Sequence, residues 1–424
     1  MWRKLIFFCL FVISLLCLSA WSIGAEEPTA GSCGTEITWT FDPEAGTLTL
    51  EGTGKMEHHS AREDVPWDAY RSQIKSVIVS DHITEISDFA FADCVQLQSM
   101  NTVLKGYFFL PESLIHIGEE AFRNCDSMNV IDVNNRLETV GAYAFADCDG
   151  LIEMYFPDSL QAFEDGVFYN CSKLMQVHLG WSSISEIPDK SFYNCSMFYR
   201  LFYPATLKKL GAYSFANSNI ELLSALEKIT IEEIGDYAFQ NIDTTSFIFP
   251  ESAQKIGVGV LSGATRVSYV DLPPNITEIP KIAFENCSNL NNIIIYSDVK
   301  TVGENAFTGC EALSLINYSG NEEDFQKIQG LHLESNSALL KAEIEYGYVV
   351  DSALNDTKEP ETSVTSHDSV KQTNTKAKIK SFHMITITGL ILANLFLGCL
   401  LYFLIKKQKH GGIKNEPQND SSMD

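Results

Sequence analysis

A phrase with a period of about 23 residues recurs ten times in this chain, and this repeat constrains the fold more than any other sequence feature. Its most regular position, here called the anchor, is phenylalanine in nine copies and leucine in one. The anchors are Phe91, Phe122, Phe145, Phe168, Phe192, Phe215, Phe239, Leu261, Phe284 and Phe307. The numbers of consecutive anchors differ by 31, 23, 23, 24, 23, 24, 22, 23 and 23, so only the first interval carries an insertion, around 101–111. A fixed period of this size indicates an array of stacked structural units.

Apolar residues hold fixed places around each anchor. Five residues before the anchor, at position −5, every copy is apolar, and at −8 every copy except Ala253 carries a large apolar residue. Further apolar residues follow at +3, +6 and +9, as in Cys287, Leu290 and Ile293. This spacing matches neither the period of a helix nor the alternation of a strand. It predicts a coil that turns corners, and stacked coils would share an interior that one coil cannot bury alone.

Turn residues also recur at fixed places. Every copy has Asp, Asn or Gly at +2, and these residues readily adopt positive φ, so we predict a tight turn there in each coil. Glycine at −4 in six copies indicates a second turn. The sixth copy departs from the pattern, because Ser218, Glu221 and Ser224 replace its apolar residues. We expect a register slip or a local bend around 218–226.

The repeat unit, apolar-x-x-Ile-Gly-x-x-Ala-Phe-x-x-Cys-x-x-Leu-x-x-Ile, resembles that of the BspA-like leucine-rich repeat family over 83–316. The flanks are similar too: 33–54 resembles the β-hairpin that precedes such arrays, and 318–346 resembles the closing segment. The resemblance implies a β-rich leucine-rich repeat solenoid of ten repeats, each of about 23 residues, with an N-terminal β-hairpin cap. It also implies a surface protein of a bacterium or a mucosal protist, with a role in adhesion to host cells or matrix proteins.

Two apolar segments predict how the chain is placed in a cell. Residues 1–25 begin with Arg3 and Lys4, continue without charge and are typical of a secretory signal peptide, with a first membrane helix as the alternative. The segment 384–405 carries no charge and is long enough for one transmembrane helix, and basic residues follow at once. We therefore expect a single-pass protein of the plasma membrane with an extracellular N-terminal region. The predicted segments are 1–25 signal peptide, 26–80 N-terminal β cap, 81–317 repeat array, 318–350 C-terminal cap, 351–383 disordered stalk, 384–405 transmembrane helix and 406–424 cytoplasmic tail.

Charge and motifs exclude several classes of function. The formal charge of −25, from 55 acidic and 30 basic residues, argues against nucleic acid as a partner. No nucleophile triad order, zinc-protease motif, glycine-rich phosphate loop or paired carboxylate motif stands out, and the nine histidines are scattered. We therefore predict no catalytic residue, no cofactor site, no metal site and no enzyme activity.

Seven cysteines, from Cys94 to Cys310, share position +3, which predicts an interior column of sulfur atoms. Two interpretations stay open. The thiols are buried and inert. Alternatively, disulfides join neighbouring coils, which an oxidising compartment permits but parallel side-chain directions disfavour.

Recognition by a solenoid is expected at its variable outward positions, here +8 and +10. Aromatic residues and an arginine at these positions are typical of an interaction hot spot, with ordinary packing between coils as the alternative. The candidate partner-binding residues are Tyr155, Arg200, Phe202, Phe247, Phe249 and Tyr269.

Sequons at Asn275, Asn317 and Asn355 are candidate glycosylation sites if the cell is eukaryotic. Taken together, these features predict a cell-surface protein that binds an extracellular protein of a host or its matrix, or a glycan, in adhesion. The alternative is a surface receptor or sorting protein that uses the short tail at 406–424.

Overall fold

The computed structural model describes residues 28–133, 136–180, 182–219 and 230–349. Over this part the chain winds as a β-solenoid of leucine-rich repeat type with about ten coils. The signal peptide, stalk, transmembrane helix and tail predicted at 1–25, 351–383, 384–405 and 406–424 lie outside the described residues. Within the described ranges, no helix is long and apolar enough to cross a membrane.

Each coil contributes two short strands, except the sixth, whose front segment lies outside the described residues, and we number the strands in chain order. The strands are β1 (Ala30–Gly34), β2 (Ile37–Asp42), β3 (Thr47–Gly52), β4 (Gly54–Lys55), β5 (Ser76–Val79), β6 (Ile83–Ile86), β7 (Ser99–Met100), β8 (Tyr107–Phe109), β9 (His116–Ile117), β10 (Val130–Asp132), β11 (Thr139–Val140), β12 (Glu153–Tyr155), β13 (Ala162–Phe163), β14 (Gln176–His178), β15 (Glu186–Ile187), β16 (Arg200–Phe202), β17 (Lys209–Leu210), β18 (Glu233–Ile234), β19 (Ser246–Ile248), β20 (Lys255–Ile256), β21 (Tyr269–Asp271), β22 (Glu278–Ile279), β23 (Asn292–Ile295), β24 (Thr301–Val302), β25 (Leu315–Tyr318) and β26 (Glu343–Tyr346). The helices are α1 (Glu322–Gln326) and α2 (Ser337–Lys341), and single 3₁₀ segments cover Arg62–Asp64, Asp68–Gln73 and Glu334–Asn336.

The strands near +9 build the front sheets, and those near −5 build the side sheets. One front sheet has the order β1-β2-β3-β5-β7-β8-β10-β12-β14-β16, and a second has the order β19-β21-β23-β25-β26. The side sheets are β13-β11-β9-β6-β4, β15-β17-β18-β20 and β22-β24. Strands β1, β2 and β3 pair antiparallel, whereas β10, β12, β14 and β16 pair parallel, because every coil runs in the same direction.

Positions −4 to +3 of the coils form a turn column on the third side. Its N–H groups at −2, 0 and +2 donate to the next coil, as Phe122 does to the Ala144 oxygen at 2.8 Å. The N–H at +1 bonds three residues back in its own coil, as Arg123 does to the Glu120 oxygen at 3.1 Å. The backbone is thereby satisfied in the interior without a strand or a helix.

The turn predicted at +2 is confirmed, since φ is positive there in all ten copies, from 55° at Asn241 to 77° at Gly309. Position −2 is also left-handed in every copy, although it holds residues as unsuited to that region as Tyr143 and Ile282. The hydrogen bonds between coils hold position −2 in this conformation. A second turn therefore exists, but its left-handed residue is not the glycine at −4.

Glycine at −4 serves the close approach of neighbouring coils. Its φ is not in the left-handed region, unlike that of the residues at −2 and +2. A Cβ on Gly141 would lie 2.6 Å from the backbone nitrogen of Glu119, and one on Gly235 would lie 2.6 Å from that of Ala212. The second turn predicted at this glycine is confirmed, since the Gly141 oxygen accepts the turn's hydrogen bond from the Ala144 nitrogen at 3.3 Å. The need for glycine itself comes from the space between two backbones and not from its φ.

The anchors form the centre of the hydrophobic core. None of the ten is more than 2% exposed. Successive rings stack across the coils, with centroids 5.4 Å apart between Phe122 and Phe145 and 5.2 Å apart between Phe192 and Phe215. Each buried anchor contributes about 1.5–3 kcal/mol of hydrophobic stabilisation, and most of it depends on a neighbouring coil being present.

The cysteines at +3 are free thiols, and all eight described cysteines are buried. In every coil after the first that has a cysteine at +3, its S–H group donates to the anchor carbonyl of the preceding coil, at 3.1 Å from Cys125 Sγ to the Phe91 oxygen and 3.0 Å from Cys171 Sγ to the Phe145 oxygen. Burial raises the pKa of the Cys94 thiol to about 12. The structure thus supports the inert-thiol interpretation over disulfides between coils.

The insertion in the first interval adds a strand to one face only. Strand β8 lies between β7 and β10 in the front sheet. In the side sheet, β6 pairs directly with β9. The extra residues therefore widen the stack at the front without adding a complete coil.

The irregular sixth copy falls largely on 220–229, which lie outside the described residues. On both sides of this stretch the stacking is regular. Lys209 of β17 pairs with Glu233 of β18, and the rings of Phe215 and Phe239 stack at 5.7 Å. The slip or bend expected around 218–226 stays a prediction.

Candidate interaction surface

Three neighbouring front strands, β12, β14 and β16, place two rows of side chains outward. Their register aligns Glu153 with Gln176 and Arg200 in one row, and Tyr155 with His178 and Phe202 in the other. The residues between the rows, Met154, Val177 and Leu201, are buried in the core. This alternation follows from the period of two in a strand.

The second outward row is a continuous stack of rings, which we call the aromatic ladder (Tyr155, His178 and Phe202). The Tyr155 and His178 rings are 4.2 Å apart at an interplanar angle of 15°, and the His178 and Phe202 rings are 4.0 Å apart at 12°. Tyr155 and Phe202 remain 39% and 38% exposed. Large aromatic side chains exposed in one contiguous patch are typical of an interaction surface.

A buried carboxylate holds the ladder in place. Glu153 is only 4% exposed, although it lies in an outward row. Its Oε1 accepts hydrogen bonds from the Tyr155 hydroxyl at 2.6 Å and from His178 Nε2 at 3.0 Å. These two bonds fix the orientation of both rings from below, so the ladder presents a preformed surface.

Arg200 completes the patch at its β16 end. Its guanidinium carbon lies over the Phe202 ring, 5.0 Å from the centroid, in a cation–π arrangement. The side chain is otherwise exposed. An arginine next to exposed rings is the composition that binding hot spots favour.

Comparison with known proteins agrees with this architecture. The model of the BspA type leucine rich repeat region matches in six copies, over 69–105, 100–221 and 232–345. The chain belongs to the BspA-type leucine-rich repeat family. A comparison with curated proteins found no match.

Solved structures similar to this BspA-type protein come from several bacteria. A leucine-rich repeat protein from Eubacterium ventriosum is 16% identical with a TM-score of 0.42, over 69% of this chain and 85% of that chain. One from Bacteroides ovatus is 20% identical with a TM-score of 0.39, over 74% and 98%. A leucine rich cell surface protein from Faecalibacterium prausnitzii is 18% identical with a TM-score of 0.31, over 72% and 99%.

The structure brings together three of the residues predicted to bind a partner, Tyr155, Arg200 and Phe202. Sequence reasoning did not single out His178 or Glu153. Their signal was positional, since Glu153 lies at +8 and His178 at +10 of their own coils. Glutamate and histidine are common on surfaces of every kind, so their identity alone does not indicate binding. The register that aligns the three strands is what reveals the ladder.

Two predicted partner-binding residues, Phe247 and Phe249, are wrong as surface residues. They are 0% and 2% exposed and belong to the core. The interval from Phe239 to Leu261 is one position shorter than the usual interval, and β19 accordingly begins at +7 rather than at +8. A shift of one residue moves every side chain of a strand to its other face.

Tyr269, the sixth candidate, lies in β21 of the second front sheet, away from the ladder strands. It is half-buried, and burial, with smaller contributions from Asp271 and Tyr348, raises the pKa of its hydroxyl to about 12. The structure therefore does not place Tyr269 in the same patch as Arg200.

The three glycosylation candidates have different outcomes. Asn275 is exposed in a turn. Asn317 is 4% exposed and its Nδ2 donates to Asn292 Oδ1 at 3.0 Å, so the folded chain disfavours a glycan there, and the site stays a prediction. Asn355 lies outside the described residues.

A polar groove of about 690 Å³ follows the turn column from Asp93 to Asn194. Its side chains bond to one another along the column, as Asn124 Nδ2 does to Asp93 Oδ1 at 2.7 Å. Arg123 pairs with both Glu120 and Asp147 at 2.9 Å. Across the described ranges, no group of three or more His, Cys, Asp or Glu side chains is arranged to hold a metal ion. The polar groups of the groove therefore satisfy one another's hydrogen bonds and charges, and we assign no ligand to it.

Proposed function

We propose that this BspA-type protein works at the cell surface, where it binds a host or matrix protein or a glycan in adhesion. The observation that carries the proposal is the aromatic ladder with Arg200, a preformed and exposed patch on three parallel strands. Membership of a family of surface-type leucine-rich repeat proteins supports it. A rigid scaffold that presents outward side chains in register is suited to binding, because little conformational entropy is lost on association.

The placement of the chain belongs to the same proposal. Residues 1–25 would direct secretion, 26–80 and 318–350 would close the two ends of the array, and 351–383 would space it from the bilayer. Residues 384–405 would anchor it in the plasma membrane and leave 406–424 inside. The composition of these segments supports this topology.

The test uses the full-length protein with a tag after the predicted signal peptide, expressed in weakly adherent cells. Adhesion to host cell layers and to immobilised matrix proteins and glycans is counted at equal surface amounts. We expect Tyr155→Ala with Phe202→Ala to lower the apparent affinity by about tenfold or more. Ile78→Ala is the matched control, since Ile78 is 52% exposed on β5 of the same front sheet. Equal adhesion by cells with and without the protein would refute the proposed function.

A further inference from the structure

The aromatic ladder leaves almost no ring face open. His178 is covered on both faces, by Tyr155 at 4.2 Å and by Phe202 at 4.0 Å. The guanidinium of Arg200, 5.0 Å from the Phe202 centroid, lies over the same ring. Because His178 already occupies one face of Phe202 at 4.0 Å, the guanidinium has room only on the other face.

This geometry argues against a sugar as the main ligand of the ladder. Sugar rings bind aromatic side chains by placing their weakly positive C–H groups on the negative ring face. In the ladder, neighbouring rings and a cation take both faces of His178, both faces of Phe202 and the inner face of Tyr155. What the ladder offers to solvent is a row of ring edges, which carry the positive end of the ring quadrupole and favour oxygen atoms or the faces of other rings.

Arg200 adds a charge preference at one end of the ladder. Among the residues that the structure describes, no carboxylate forms an ion pair with it, although most of the described arginines are paired to an acid, as Arg266 is to Asp243 at 2.7 Å. Stacking on Phe202 leaves the N–H edges of the guanidinium available for a bidentate bond to a carboxylate.

We propose that the ladder and Arg200 bind a protein segment in which an Asp or Glu lies beside an apolar or aromatic side chain. The acid would pair with Arg200, and the apolar side chain would pack on the ring edges towards Tyr155. This inference rests on the proposed binding function and narrows its ligand from protein or glycan to protein. The charge of −25 opposes the approach of an acidic partner at long range, but screening beyond about 8 Å leaves the local pair with Arg200 decisive.

The test presents the full-length protein on cells to two probes. One is a phage library of random twelve-residue peptides, and the other is a panel of neutral and sialylated oligosaccharides. We expect the enriched peptides to share an acidic residue next to an apolar one. Their binding should fall by about tenfold or more with Arg200→Glu and with Phe202→Ala, and should not change with Ile78→Ala. Thermal unfolding of each variant checks that the coils are intact.

A charge exchange makes the test specific. When the acidic residue of an enriched peptide is changed to lysine, binding should be lost with the wild-type protein and restored with Arg200→Glu. Peptides without an acid, binding that ignores Arg200→Glu, or an oligosaccharide whose binding needs Tyr155 and Phe202 would each overturn the inference. Adhesion that survives all ladder substitutions would overturn the inference while leaving the proposed adhesion function standing. Absence of adhesion together with acid-dependent peptide binding would overturn the proposed adhesion function and leave this inference standing.

Discussion

The guanidinium of Arg71 donates a 2.6 Å hydrogen bond to the carbonyl oxygen of Ala92, in the turn column of the first coil. It also reaches the Phe89 oxygen at 2.9 Å, and Trp67 Nε1 donates to the Ala90 oxygen at 2.7 Å. Coils accept hydrogen bonds from the preceding coil, so the first coil has carbonyls that no coil can satisfy. Side-chain donors replace the missing neighbour.

The opposite end of the array has the complementary need. The N–H groups of the last coil have no following coil to accept their hydrogen bonds. Asn336 Oδ1 accepts one of these bonds instead, from the Phe307 nitrogen at 3.3 Å. Its Nδ2 donates to the Gly303 and Gly330 oxygens at 2.9 and 3.1 Å. The Ser335 hydroxyl accepts from the Asn305 nitrogen at 3.2 Å. Side-chain donors thus satisfy the free carbonyl groups of the first coil, and side-chain acceptors satisfy the free N–H groups of the last coil.

Arg71→Ala should destabilise the array from its N-terminal end. Its side chain is 6% exposed. Its loss removes the hydrogen bond to the Ala92 oxygen and one of the bonds to each of the Phe89 and Ala90 oxygens. We expect the free energy of unfolding to fall by about 2–4 kcal/mol, measured by denaturant titration. Arg266→Ala is the control, because that side chain is 61% exposed and a surface pair contributes about 1 kcal/mol or less. Equal losses in the two variants would contradict this role for Arg71.

Asn336→Ala should destabilise the C-terminal end in the same way. Asn336 is 0% exposed and makes both donor and acceptor bonds, so we expect a loss of about 2–3 kcal/mol. Hydrogen exchange should then rise first at Asn305 and Phe307. Asn289→Ala serves for comparison, since Asn289 is exposed while also donating to a backbone oxygen. Unchanged exchange at Phe307 would speak against the assignment.

The thiol column predicts that stability falls in alkali. Burial raises the pKa of Cys94 to about 12, above the ordinary value of about 9, so folding favours the protonated thiol. The stabilising contribution is complete below pH 9 or so and is lost as pH rises towards about 12. Denaturation midpoints at pH 8 and pH 10 should differ less in Cys94→Ala than in the wild type. An identical pH dependence in both proteins would show that this thiol titrates normally.

Glu153→Ala should weaken adhesion more than Glu233→Ala does. Without the carboxylate, the Tyr155 hydroxyl and His178 Nε2 lose their shared partner and the rings lose their fixed orientation. We expect adhesion to fall several-fold and the free energy of unfolding to fall by about 1–3 kcal/mol. Glu153→Gln keeps one acceptor oxygen and should recover part of both. Full adhesion by Glu153→Ala would mean that the ladder binds its partner without the hydrogen bonds from Tyr155 and His178 to Glu153.

Expression in a secreting eukaryotic cell should place a glycan on Asn275 and none on Asn317. Exposure decides this, because the Asn317 amide is buried and bonded to Asn292 whereas Asn275 lies in an open turn. Mass spectrometry of the two tryptic peptides gives the occupancy, and Asn275→Gln is the control for the modified site. Occupancy at Asn317 would require that modification precedes folding of β25.

The sequence by itself determined the repeating architecture of this protein. Anchor spacing, the apolar positions at −5 and +9 and the turn residue at +2 are each set by local chemistry that recurs along the array, with the sixth copy as the exception at +9. Together they predict a shared core, which the stacked anchors confirm. Family membership follows from the same periodicity, because the residues that define the family's repeat are the ones that each coil needs in order to fold.

Only the tertiary structure decided what depends on the neighbouring coil. Contacts with the backbone of a neighbouring coil explain the left-handed conformation of Tyr143 and Ile282 and the need for glycine at −4. The sequence of a single coil does not reveal these contacts. A one-residue shift in β19 turned Phe247 into the core, and strand register joined Tyr155, His178 and Phe202, which belong to three separate coils. Local spacing specifies which residues are buried in a typical coil, whereas contacts between coils decide which exposed residues meet.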